Sequence, residues 1–162
     1  MRTLLASPLL GLLCAAALPA AAADGAAVFA THCVMCHQPG GAGLPGIAPP
    51  LAGTLGERLQ VAGRGYLPRV VTHGMVGPIT VQGTRYTGSM PSFAQLPDAD
   101  LAAVLNHVVG SFNAGGVPDT HPPYTAADVA AARAEPLAPH QVRKLRDGAS
   151  GAGGNAGKGS GS

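Results

Sequence analysis

Between residues 97 and 112, Leu101, Val104, Leu105, Val108, Val109 and Phe112 recur three and four positions apart, one apolar stripe that predicts an amphipathic helix. Pro97 suits its first position, and Asp98 and Asp100 stand where the positive end of the helix dipole favours acids. A helix is also predicted from Asp24 to His37, where Val28, Phe29, Cys33, Cys36 and His37 keep helical intervals. Asp24 can cap its start and Gly40-Gly41 should stop it. Shorter helices are expected over Thr54–Ala62 and over Tyr66–His73, the second with Pro68 in its first turn and Gly74 at its end. Ile79-Thr80-Val81, Gln82-Gly83 and Thr84-Arg85-Tyr86 read as a small β-hairpin, and Gln38–Pro50 and Gly88–Leu96 as loops. Thr125-Ala126-Ala127-Asp128 has the form of a capping box opening a helix through Ala134, and Gln141–Asp147 should add a turn.

The two ends differ from this middle. Arg2 precedes an apolar run from Leu4 to Leu18, and Pro19 to Ala23 supply the small residues of a cleavage site. Residues 1–23 are therefore expected to be a signal peptide cleaved near Ala22–Asp24, and the mature chain to be exported to the periplasm. Leu13 before Cys14 argues against a lipoprotein, and no later apolar run approaches membrane-spanning length. A domain over 24–113, an extension with a short helix over 114–147 and a disordered Gly/Ser-rich tail over 148–162 complete the expected organisation.

Charge excludes one class of partner. Without Arg2, nine basic side chains face eight acidic ones, which gives no electrostatic case for nucleic acid. Aromatic residues make up only 4% of the chain and Trp is absent, so bulky core material has to come from elsewhere.

Cys33-Val34-Met35-Cys36-His37 supplies the candidate chemistry. C-x-x-C-H is the attachment signature of c-type haem: two thiols one turn apart add to the vinyl groups, and the next histidine coordinates the iron. A thioredoxin-like site would need a βαβ context, and zinc would need two more ligands at a set spacing; neither is visible. One covalent haem c also supplies the large apolar disc that the chain lacks. For the other axial position Met90, in the polar loop Thr87–Phe93, is favoured over Met75, with His73 as a further alternative. Met35 lies too close to the attachment site to serve.

With these features the chain resembles the class I monohaem cytochrome c family, from about Asp24 to Phe112. The likeness rests on Gly25-x-x-x-Phe29, Cys33-x-x-Cys36-His37, Pro49-Pro50-Leu51, Met90-Pro91-x-Phe93 and the last amphipathic helix. It is most similar to the cytochrome domains or subunits that serve periplasmic alcohol and aldehyde dehydrogenases, through His73–Tyr86 and through Asp128-Val129 and Val142–Arg146. The resemblance implies a mostly α fold in which N- and C-terminal helices cross, with short helices and a small hairpin around the haem. It implies Met90 as the sixth ligand and the carbonyl of Pro49 (Pro50 in a shifted register) as acceptor of the His37 Nδ1 proton. Gly25 and Phe29 would let the first helix cross the last near Val109 and Phe112, and Tyr86 and Arg85 are candidate partners of the haem propionates. His107 replaces the aromatic usual near that position and could add a pH dependence if it faced the haem. His32, His121 and His140 read as solvent residues.

The function expected is electron transfer without substrate chemistry, since iron held by two strong protein ligands has no open position. The chain would take electrons from a periplasmic dehydrogenase and pass them to a terminal oxidase or another cytochrome. A fixed haem subunit of a dehydrogenase complex is the alternative, with the basic segment around Arg143, Lys144 and Arg146 as an arm that clasps the partner. A gas-binding sensor or small peroxidase would require a labile sixth site.

Overall fold

A computed structural model describes residues 23–118 and 120–148. Apart from Ala23 and Gly148, the expected signal peptide and Gly/Ser-rich tail lie outside the described residues. The architecture is mostly helical, as expected. Helices α1 (Gly25–His32), α2 (Val34–His37), α3 (Leu55–Ala62) and α4 (Tyr66–His73) lead into strands β1 (Met75–Val76), β2 (Ile79–Val81), β3 (Thr84–Tyr86) and β4 (Ser89–Met90). Then come α5 (Asp98–Phe112), α6 (Ala126–Arg133) and α7 (Pro139–Leu145), and a short 3-10 turn, Pro39–Gly41, follows α2.

The stripe read from the sequence is the buried face of α5: Leu101, Val104, Leu105 and Val108 are all in the core. Pro97 stands just outside the helix as its cap rather than in its first turn. The first and last helices of the expected domain do cross. A Cβ on Gly25 would stand 2.1 Å from the Ala103 carbonyl oxygen, so only glycine permits this approach. One turn further on, Phe29 meets Phe112 edge to face at 5.0 Å. Asn113 ties this crossing to α3. Its Oδ1 accepts from the Leu55 N–H at 3.0 Å, and its Nδ2 donates to the Val108 carbonyl at 3.0 Å.

Three local expectations need correction. The helix predicted over 24–37 is capped by Asp24 but breaks at Cys33 (φ −116°, ψ −31°), giving α1 and α2. The stretch Gly88–Leu96 is not all loop, because β4 pairs antiparallel with β1, Met75 opposite Met90. Strands of two residues carry no readable alternation. Gly74 (φ +73°) makes the pairing possible, since a Cβ there would stand 2.6 Å from the Met90 carbonyl oxygen. The last helix begins at Pro139 rather than near Gln141; Gln141 reaches back to cap the Ala138 N–H at 2.7 Å.

The segment after Gly116 is no free arm. Its helices fold back, α6 against α4 and α5, and α7 against α4 and β1. Val129 and Val142 are wholly buried. Three ion pairs at 2.6 Å, Arg64–Asp128, Arg69–Glu135 and Arg133–Asp98, fasten it. The alternation of small apolar and charged residues suits an amphipathic strap docked on its own domain.

Two outcomes follow from this packing. Gly25→Ala should destabilise the mature protein by about 1–3 kcal/mol in guanidinium denaturation, because the added methyl meets main chain that cannot move aside. Asp128 lies well below the usual carboxylate range, first through its hydrogen bond from Arg64 and then through Thr125. A depressed folded-state value gives stability that is present above the ordinary value and lost as pH falls. Asp128→Asn should therefore cost about 1 kcal/mol at neutral pH, with the gap to the parent narrowing on acidification in a melting series.

Candidate functional site

Between α2, α4, the loop after the 3-10 turn and the two strand pairs lies a cleft enclosing about 1420 Å³, its open mouth included. Cys33, Cys36, His37, Pro49, Tyr86 and Met90, six of the seven residues proposed from the sequence, all line it. Arg85 does not. It is exposed on the outer face of the β2–β3 hairpin, in a small polar depression shared with Thr80, Arg146 and Asp147.

His37 ends α2 and is buried. Its Nδ1–H donates to the Pro49 carbonyl at 3.0 Å, in the expected register rather than that of Pro50. Burial lowers the proton affinity of the ring, and the Pro49 carbonyl only partly offsets this. A neutral imidazole whose Nδ1 proton is committed presents the Nε2 lone pair, which is the form a metal requires.

The two thiols are unbonded, Cys33 half-buried and Cys36 exposed. Burial, and then the neighbouring Cys36, push the Cys33 thiol up to about 11. A redox C-x-x-C works the other way, with a lowered thiol that attacks as thiolate. A zinc site is equally poorly served, since no group of three or more His, Cys, Asp or Glu side chains converges among the described residues.

Three methionines line the cleft, and two of them, Met75 and Met90, stand side by side, as the β1–β4 register dictates. They are not equivalent. The Tyr66 hydroxyl donates to Met75 Sδ at 3.4 Å, whereas the half-buried Met90 has no polar partner among the described residues. Met35 is 83% exposed. His73 is spent elsewhere: its Nε2 lies 2.8 Å from the Ala132 carbonyl, and it does not line the cleft. His107 meets Phe29 at a tilt and Phe112 edge-on at the helix crossing, also away from the cleft. His32 and His140 are exposed, as expected, but His121 is half-buried against Tyr124 with its Nε2 unpartnered.

Among the lining residues that escaped the sequence reading are Tyr66, Arg58 and Arg146, and His32, read as a solvent residue, borders the cleft as well. Tyr66 read only as a helix start. The arginines lie in α3 and just after α7, and no local motif marks a side chain whose target is reached through tertiary packing.

An apolar cleft with a thiol pair one turn apart, an oriented neutral imidazole and a free thioether fits a covalently held haem. The comparisons agree. Residues 20–108 match the family model described as "Cytochrome C oxidase, cbb3-type, subunit III". The chain is 45% identical over 142 residues to a cytochrome c-552 of Thermus thermophilus, covering 87% of this chain and 92% of that protein. A second Thermus thermophilus cytochrome c-552 is 46% identical over 121 residues, covering 74% of this chain and 92% of that protein.

Proposed function

This chain belongs to the cytochrome c family, and we propose that it carries single electrons with His37 and Met90 as the axial ligands of its iron. Members of the family hold a c-type haem covalently and transfer electrons; they are not enzymes. The observation that carries the finer reading is that both thiols, the His37 ring and the unpartnered Met90 sulfur line one apolar cleft. When bound, the haem supplies an iron that cycles between its ferrous and ferric states.

The chain's own residues do the rest. Cys33 and Cys36 form the thioether anchors, and α2 holds them one turn apart. The Pro49 carbonyl fixes the His37 ring and raises its basicity as a ligand. Tyr66 occupies Met75 and leaves Met90 free to bind. The apolar lining, with Leu67 and Val70 of α4, excludes water and so favours the less charged, reduced iron.

Export to the periplasm, with cleavage of residues 1–23, is supported by the leader pattern. No described helix is long and apolar enough to cross a membrane. A dehydrogenase as donor and a terminal oxidase or another cytochrome as acceptor fit a carrier of this kind. The description of the matched family model, an oxidase subunit, bears on the acceptor. Because α6 and α7 are committed to their own domain, a diffusing carrier is favoured over a fixed subunit.

Absorption spectra of the purified protein test the reading. The reduced protein should show bands of a covalently attached haem, and the oxidised protein the weak far-red band of iron bound to sulfur. Met90→Ala should abolish that far-red band and Met75→Ala should leave it; the opposite pattern would move the ligand to Met75.

A further inference from the structure

We propose that Arg133, the last residue of α6, is a positioning residue for the axial thioether: it holds the segment after Met90 in place and so keeps the sixth position of the iron closed to outside ligands. The inference rests on the haem reading above, with Met90 as axial ligand, and extends it to a residue of the strap that no motif marks.

Met90 ends β4, a strand of only two residues. Pro91 follows and has no N–H to donate, so the chain just beyond the thioether gains little from backbone pairing. It is gripped from two sides instead. On one side stands the last turn of α4. The Phe93 N–H donates to the Val71 carbonyl at 2.9 Å, and the Ser92 hydroxyl donates to the Thr72 carbonyl at 2.5 Å. On the other side stands Arg133. Its Nη1 donates to the Ala94 carbonyl and its Nη2 to the Leu96 carbonyl, the latter at 3.0 Å. Nε and Nη2 also donate to Asp98 Oδ1, at 2.9 and 2.6 Å.

A guanidinium is a planar fork of five donors that stays charged, so one side chain can hold two carbonyls and a carboxylate together. Asp98 opens α5, whose Leu101, Val104, Leu105 and Val108 are buried, and the grip is thereby referred to a firmly seated helix. The preceding residue completes the bracket. Ala132 is buried, and its carbonyl lies 2.8 Å from Nε2 of His73, the last residue of α4. The end of α6 therefore braces both walls of the segment that follows Met90.

A thioether is a neutral, soft ligand, and it stays on iron because the chain keeps it at high local concentration. Loosening the segment raises the fraction of molecules with the sulfur off the iron. A soluble ligand then binds more tightly, in apparent terms, by that same factor. The Arg133–Asp98 pair is half-exposed and adds only modestly to global stability, so its main consequence is local. Arg64–Asp128 is the matched comparison. It is equally short at 2.6 Å, similarly exposed and fastens the same strap, yet the other acceptors of Arg64 are the Pro122 and Pro123 carbonyls.

Imidazole titration of the oxidised, haem-loaded mature protein, followed by loss of the far-red band, decides the matter. Arg133→Gln keeps at most a fraction of the donors and should raise the apparent imidazole affinity about tenfold. Arg64→Gln should change it by less than about twofold, although both variants lose one strap ion pair. Arg133→Lys keeps the charge beside Asp98 but not the fork, and should fall between Arg133→Gln and the parent. Parental affinity in Arg133→Gln, or an equal gain in Arg64→Gln, would overturn the proposal, whatever the melting temperatures. If Arg133→Gln does not accumulate with haem, Arg133→Lys decides by the same comparison with Arg64→Gln. A parent without the far-red band would instead sink the axial reading itself, before any variant is compared.

Discussion

The structure depends on a cleft that the chain does not fill. With three Phe, three Tyr and no Trp, the polypeptide has few side chains large enough to close a core among short helices. Three of them are spent on the frame, where Phe29 and Phe112 lock α1 against α5 and Tyr124 seals the strap, and the other three, Tyr66, Tyr86 and Phe93, line the cleft. What remains is an apolar space whose walls are held apart by that frame. A rigid group of the right shape recovers the contacts that the walls lack, which makes cofactor and fold energetically one object. Covalent attachment at Cys33 and Cys36 suits such an arrangement, because a group that substitutes for core cannot be allowed to leave.

The parts of this design that were legible in the sequence are those written in local order. The α5 stripe, the β2–β3 hairpin with its Gln82-Gly83 turn, and the attachment motif each fit within one element or one turn. The Pro49 contact was read from the family pattern rather than from any period. The rest was hidden because it is encoded between distant segments. Met75 and Met90 face each other through two-residue strands that no alternation could betray. The turn at Cys33 leaves the helical spacing of the thiols and His37 intact, so the break in α1–α2 has no signature. Arg58 and Arg146 are ordinary basic residues until α3 and α7 bring them to one corner.

The strap shows how composition can mislead. Proline-rich, with basic Arg143, Lys144 and Arg146 near its end, and placed after the domain, residues 114–147 look like a tail for a partner. Yet the charged side chains that dock it each have an inward acid or carbonyl: Arg64 holds Asp128 and the Pro123 carbonyl, Arg69 holds Glu135, and Arg133 holds Asp98 and the Leu96 carbonyl. Each half-exposed pair contributes modestly alone. Their value is in register, since together with Val129 and Val142 they allow one seat for α6 and α7. A strap held in one seat can place Arg146 reproducibly, which a flexible tail could not.

The same logic bears on the two methionines. Thioether sulfurs facing each other across β1 and β4 would compete for one coordination position if nothing separated them. Tyr66 separates them, since its hydroxyl donates to Met75 and so offsets the cost of burying a polar group in the cleft. Releasing Met75 to bind would strand that hydroxyl, whereas drawing on Met90 strands nothing. One hydrogen bond thus makes the two sulfurs unequal, Met75 partnered and Met90 not. The helix carrying Tyr66 is pinned in turn by the Arg69–Glu135 pair to the strap. The cleft that holds both sulfurs therefore shares its scaffold with the segment after residue 114, which pins α4 and contributes Arg146 to the lining.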